Sequence, residues 1–594
     1  FSNAVTLQAD AGNETFGNIT FVDSGAVRLH SSASADGDLY INASTDAAVG
    51  GNLNVTATTG NITQGRAVTV GGASSFTTSA NNATIALNTT TNAFTGAVAL
   101  NTTGSNGNAT IDGGTTALVL AASTIGGDLT ARSGNASGIT DSGTVTVGGN
   151  LAATTDANNG VINLGTLAVD GTVSLHTNGS GNATVVNDAG LNFAASTVGG
   201  VLNATATTGN MMDSGALTIT GTSSFTTSAN NAMIALDTTT NAFTGAVTIT
   251  TNDNSGTDAD VTIDGGTTAL VLAASTIDGD LMLRSGHASG ITDSGTVTVG
   301  GDFAAITDAN NGVINMGTLA VDGTVALATH GNGAATVVND AGLNFASSTV
   351  RGNLNATATT GNITQDSGAL TVTGTSIFRT DADGSNIVLN SASNAFSSWV
   401  KMLADDGGAG ATGNETFGDI TFVDSGAVVI QTSAATDADG ELLIDGSTDG
   451  AVGGNLSITA TTGNITQGVA LAVTGTSTFI TGATGSNIIL DHADNAFTST
   501  VTMKADTGGN EAFGNITFVD SADVKLHSSA STGGDLFLDG STDGAVGGNL
   551  SITATTGNIT QGVALAVTGT STFTTSASDA DITLATTTNA FTGA

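Results

Sequence analysis

The chain has 594 residues, with 9 Lys and Arg against 49 Asp and Glu, a formal charge of −40. It contains no cysteine and no proline, which excludes disulfide staples and thiolate chemistry and fits a chain built mainly of internal strands. A polyanion of this kind repels nucleic acid and anionic membranes, and no stretch reaches the ~20 apolar residues of a membrane span.

From its first residues the chain repeats one pattern: an apolar-x-apolar run, a break centred on glycine, then a second apolar run. FSNAVTLQAD at 1–10 reads like FTSTVTMKAD at 497–506, so the chain reads as a window cut from a longer array. Taking the first inward-facing residue after each break as an anchor gives a series from Val5, Val27, Leu53, Phe76 and Val98 to Leu550 and Phe573. The anchor spacing has a floor of 22 residues with occasional longer gaps, the signature of stacked coils. About 24 coils with a minimum coil of 22 residues are expected, in a single continuous solenoid over 1–594. Its larger units are the tail of a four-coil unit (1–75), six-coil units (76–224 and 225–377), four-coil units (378–478 and 479–572) and the start of the next (573–594).

The segment 145–169 illustrates one coil: Leu151 and Ala153 form a first strand, Val161, Ile162 and Leu164 a second, and Leu167 and Val169 a third. Alternating apolar residues with Gly and Asn at the corners predict an all-β, triangular parallel β-helix, each strand pairing with its equivalent one coil away. Only four Glu (Glu14, Glu415, Glu441, Glu511) and nine basic residues leave little helix-forming material. The Asn of TGN (Asn61, Asn210, Asn362, Asn464, Asn558) are expected to form amide ladders with Asn from other turns. The Asp residues sit in turn phrases such as DSG and STDG, where their side chains serve the backbone.

Candidate chemistry is sparse. His30, His176, His287, His330, His492 and His527 are scattered without zinc spacing or a nucleophile motif. The basic residues are dispersed, so no catalytic residue is assigned and no enzyme activity is expected. The gaps Val98 to Leu129 and Val247 to Leu281 break the rhythm most and are expected to project from one face. The second carries NDNSGTDAD, whose Asp253, Asp258 and Asp260 form a speculative Ca²⁺ site; DADGE at 437–441 is a weaker one. Calcium is the sole cofactor considered. TxT phrases such as Thr56-Ala57-Thr58 do not recur on every coil, so they read as β-propensity on a solvated face rather than an ice-binding surface. Asn-x-Ser/Thr sequons, at Asn18, Asn54 and Asn61 among others, follow from composition.

The phrases TGNITQ (59–64, 360–365) and GNLNVTA (51–57), with the grammar around them, resemble the haemagglutination-repeat and β-strand-repeat regions of filamentous haemagglutinin-like exoproteins and autotransporter passenger domains of bacteria. The resemblance implies a right-handed parallel β-helix, export to the cell surface, and a role as adhesin, stalk or matrix fibre. Its implied partners are cell-surface or matrix components, carbohydrate among them. The alternatives are a filament subunit that stacks end to end and, in another class, a carbohydrate-active β-helix enzyme.

Overall fold

The computed structural model describes residues 1, 4–9, 17–30, 38–41, 48–252, 259–366, 368–404, 418–431, 441–444, 451–505, 514–527, 535–538 and 545–593. Every regular element among them is a β-strand, so no helix is long and apolar enough to cross a membrane. The strands pair in parallel in coils about 22 residues apart, as a β-solenoid. Two compact units divide the chain: Phe1–His287 with Asp293–Gly300, and Ala288–Thr292 with Gly301–Ala594.

In the first unit two long sheets carry the core. On one, Val27, Ile62, Ile85, Ala109, Leu129, Leu151 and Val173 face one another in successive coils, and all are buried. On the other, Phe21, Val55, Phe76 and Leu100 form a second buried column. The second unit repeats the scheme, with Phe422, Ile458, Phe479 and Met503 in register. Each large apolar side chain removed from water contributes about 1.5–3 kcal/mol, and a stack adds such terms coil by coil.

The glycine breaks have a direct cause. Gly200, Gly221 and Gly245 stack corner over corner, with the Gly221 N–H donating to Gly200 O at 3.0 Å. A Cβ on Gly221 would lie 2.5 Å from Gly200 O, and one on Gly245 would lie 2.4 Å from Gly221 O. Coils at sheet spacing leave no room there for a side chain.

Three sequence expectations change. The floor of 22 residues belongs to the anchors, because register steps run shorter: Ala183 faces Leu202, 19 residues on. In the illustrated coil the second and third strands are one strand, Ile162–Val169, whose pairing with the next coil slips between Leu164 and Leu167. Among the described residues, the two long gaps are built largely of strands of the stack rather than of projecting loops. The first holds strands Ala109–Asp112, Leu118–Leu120 and Ser123–Ile125, and the second holds Val261–Asp264, Leu270–Leu272 and Ser275–Ile277. Their corners use Ala-Ala (Ala121-Ala122, Ala273-Ala274) where other coils use glycine, so the glycine rule passes over them. Across these gaps the anchors move between sheets. Val98 pairs on the sheet of Ser74, whereas Leu129 pairs on the sheet of Ala109.

Candidate functional site

Of the proposed calcium ligands Asp253, Asp258 and Asp260, only Asp260 lies among the described residues. Asp253 and Asp258, and the DADG of 437–440, lie outside the described residues. Asp260 accepts the backbone N–H of Asp280 through Oδ1 at 3.0 Å. Among the described residues no group of three His, Asp or Glu is placed to hold a metal. His176, His287 and His330 are exposed on separate coils.

The Asp260 contact is one of a series. Asn150 Oδ1 accepts the N–H of Thr172, Asn182 that of Val201, and Asn353 that of Thr375, at 2.8–3.0 Å. Asp128, Asp302 and Asp419 do the same for Asn150, Thr324 and Asn455 at 2.7–2.8 Å. In the second unit the series runs unbroken through Asn464, Asn487, Asn515, Asn549 and Thr570. The expected ladders are therefore present in a different form: each side-chain carbonyl bonds the next coil's backbone rather than another amide. Asn61, Asn210, Asn362, Asn464 and Asn558 take part in this way. Only an acceptor oxygen is needed, so Asp substitutes freely for Asn, and part of the chain's acidity has this structural origin.

A second polar device went unread in the sequence. The Asn of each NAF phrase is a plug between coils. Asn495 is fully buried; its Oδ1 accepts the Leu471 N–H at 2.9 Å and its Nδ2 donates to Val519 O at 3.1 Å. It also clasps Gln467, donating to Gln467 Oε1 at 3.0 Å and accepting from Nε2. Gln64 with Asn92, Gln365 with Asn394, and Gln561 with Asn589 form the same reciprocal amide pair. The signal was available: the Gln of TGNITQ precedes the Asn of NAF by 28 or 29 residues in each case. The Phe of NAF completes the joint. Phe94, Phe243, Phe396, Phe497 and Phe591 meet Phe76, Phe225, Phe378, Phe479 and Phe573 edge to face, with centroids 5.9–6.3 Å apart.

One clasp differs. Asp213 stands where the others have Gln, and Asn241 Nδ2 donates to its Oδ2 at 2.6 Å. Burial pushes the Asp213 carboxyl above its ordinary range, against the hydrogen bonds from Asn241 and Thr238 that pull it down. Asp424 and Asp520 are raised for the same reason, although backbone N–H groups of Phe396 and Phe497, among others, oppose it.

Outward-facing side chains are more regular than the phrases suggested. Thr205, Thr226, Thr250, Thr276 and Thr298 occupy one column over consecutive coils of the first unit. They fall in different phrases, so only the register reveals the column.

No curated protein matches the chain, and no solved structure does. A family model described as repeats of unknown function (DUF5649) matches residues 24–101, 106–176, 180–250, 258–316, 332–402, 405–504 and 514–594. The chain is a structural repeat protein and belongs to this family of tandem β-strand repeats.

Proposed function

We propose that this protein is an extracellular scaffold: a segment of a bacterial surface adhesin, stalk or matrix fibre whose task is mechanical and which engages surface or matrix components, carbohydrate among them. The observation that carries this reading is where the polar side chains go. The Asx ladder and the Gln–Asn clasps commit the repeated amides and many carboxylates to joining one coil to the next. Such joints give many similar interfaces in series, which suits a load-bearing spacer. Surface export follows the resemblance of TGNITQ and GNLNVTA to haemagglutinin-type repeats. In this reading the chain is not an enzyme and needs no cofactor. An antibody against the folded chain, applied to intact producing cells, tests the location: labelling is expected without permeabilisation, and labelling only after permeabilisation would overturn it. Depolymerisation of an acidic polysaccharide by the purified chain would overturn the non-enzymatic reading.

A further inference from the structure

Seven large apolar side chains are exposed among the described residues, and three of them are methionines: Met212, Met233 and Met282, at 42, 41 and 43%. The other four, Phe1, Val22, Ile582 and Phe591, lie towards the two ends of the chain. The remaining methionines, Met211, Met316, Met402 and Met503, are fully buried.

Each exposed methionine replaces a polar residue of an equivalent repeat. TGNITQ at 59–64, 360–365, 462–467 and 556–561 becomes TGNMMD at 208–213, so Met212 stands where the others have Thr. TTSANNATIAL at 77–87 becomes TTSANNAMIAL at 226–236, with Met233 in the place of Thr84. DLTARSG at 128–134 becomes DLMLRSG at 280–286, with Met282 in the place of Thr130. The first exchange costs a hydrogen bond. Thr364 Oγ1 donates to Asn344 Oδ1 at 3.1 Å across adjacent coils. Met212 faces Asn192 in the same register, and Asn192 Oδ1 is buried without a partner. An unpaired buried acceptor is destabilising, so stability does not account for the thioether. A repeat that breaks its own rule at a cost is a place to look for function.

The three side chains share one face of one sheet. Met212 faces Ala235, Ala235 faces Thr262, and Thr262 faces Met282. Met212 and Met282 thus end a column three strand spacings long, about 14 Å. Met233 is exposed beside it, two residues before Ala235. Asp260 and Asp280 flank the column on the Met233 side, two residues before Thr262 and Met282. Exposed Asp237 flanks it on the other side, two residues after Ala235. Arg284 is the one cation on these strands, and Asp264 faces it. Flexible, polarisable Met side chains suit adaptable apolar contact, and the acidic flanks set the sign of the partner's charge. A second copy of the chain brings another −40 and is repelled.

We propose that Met212, Met233 and Met282 form a docking surface for a basic amphipathic helix. Its apolar stripe lies along the column, and its Lys and Arg side chains meet Asp237, Asp260 and Asp280. A column of ~14 Å takes about nine helical residues, enough for apolar side chains at i, i+3 or i+4, and i+7. This partner is of a different class from the surface and matrix components of the scaffold reading. Its binding is measured on the purified chain, so it stands or falls apart from the labelling of cells.

The probe is a Leu/Lys peptide of about 14 residues with Leu at helical spacing. Its control is a scrambled peptide of the same composition, in which the Leu residues share no face. Titrations at physiological salt screen the general attraction of a polyanion for any cation. The amphipathic peptide is expected to bind at least tenfold more tightly than the scrambled one. The triple variant Met212→Thr/Met233→Thr/Met282→Thr restores the residues of the equivalent repeats. It is expected to lose that tenfold advantage and to bind the scrambled peptide as the parent does. Equal affinity for the two peptides, or an advantage that survives in the variant, overturns the proposal. Should the variant fail to fold, hydrogen peroxide on the native chain replaces it. Each accessible sulfur takes one oxygen from the peroxide to give a sulfoxide, with water leaving. The chain with these three sulfurs oxidised is expected to lose the same advantage, and a retained advantage overturns the proposal. Sedimentation of the chain alone is the last arm: a dimer that disappears on oxidation would assign the surface to a second copy and overturn the proposal.

Discussion

At the scale of the residue, this solenoid uses the side-chain carbonyl of Asn and Asp as a spare backbone acceptor. Asn455 shows what that requires, since its Oδ1 takes the N–H and the hydroxyl of Thr476 at 2.7 and 2.8 Å. Asn455→Asp keeps the acceptor and is expected to change stability by less than about 0.5 kcal/mol. Asn455→Ala leaves the Thr476 N–H to solvent and is expected to cost about 0.5–1.5 kcal/mol. A thermal melt of the two variants side by side checks this; equal losses would mean that the ladder contact contributes nothing. Asp213 is the residue where charge matters. Its carboxyl is raised by burial, so the folded state holds a proton that the unfolded chain has already released. Stability is therefore highest below the ordinary carboxylate pKa and falls as pH rises through the window up to the raised value. Asp213→Asn, which keeps an acceptor for Asn241, is expected to raise the melting temperature at neutral pH and leave it unchanged in acid. A gain of the same size at both pH values would place the effect in packing rather than ionisation.

At the scale of the element, the coil is a strand joined to its neighbour by a plug. Removing the plug should cost far more than removing one ladder contact. Asn495→Ala would leave the buried Leu471 N–H and Val519 O without partners, and Gln467 without its clasp. The expected loss is about 2–5 kcal/mol, from two or more buried groups at ~1–3 kcal/mol each. Hydrogen exchange at the Leu471 amide reads it locally, and unchanged protection would contradict it. The same elements show what the sequence made legible. The period-2 alternation and the stacked corner glycines exposed the parallel coils, because sterics at Gly200, Gly221 and Gly245 tolerate no other residue. The strands within the long gaps were hidden because Ala121-Ala122 and Ala273-Ala274 turn their corners without glycine. Strands Asp38–Ile41, Glu441–Ile444 and Asp535–Leu538 were hidden for another reason. Their partners precede them in the chain, and an order reversed in space leaves no mark on spacing. Asp260 was noticed as an acidic residue in a loop, yet its contact is with Asp280 one coil away, which local spacing cannot report.

At the scale of the whole molecule, the charge of −40 and the ladder have a common origin. Wherever Asp replaces Asn as acceptor, as at Asp128, Asp302 and Asp419, the backbone bond is kept and a negative charge is added to a coil corner. Nine basic residues cannot neutralise 49 acidic ones. Arg132, which grips Asp156 in a two-pronged pair at 2.7 and 2.9 Å, is a half-exposed bridge of small value. The folded stack holds its carboxylates closer together than the unfolded chain does, so self-repulsion opposes folding and is relieved by screening. At physiological ionic strength the screening length is ~8 Å, longer than the ~4.8 Å between coils, so repulsion between neighbouring coils survives there and weakens further as salt is added. The melting temperature is therefore expected to rise steadily from low salt through physiological salt and to level off only well above it. Changing Asp128, Asp302 and Asp419 together to Asn should flatten that rise while leaving the high-salt value almost unchanged, because the acceptor oxygens remain. A melting temperature independent of salt, or a triple variant that follows the parent at every ionic strength, would show that these corner charges are already fully screened by solvent.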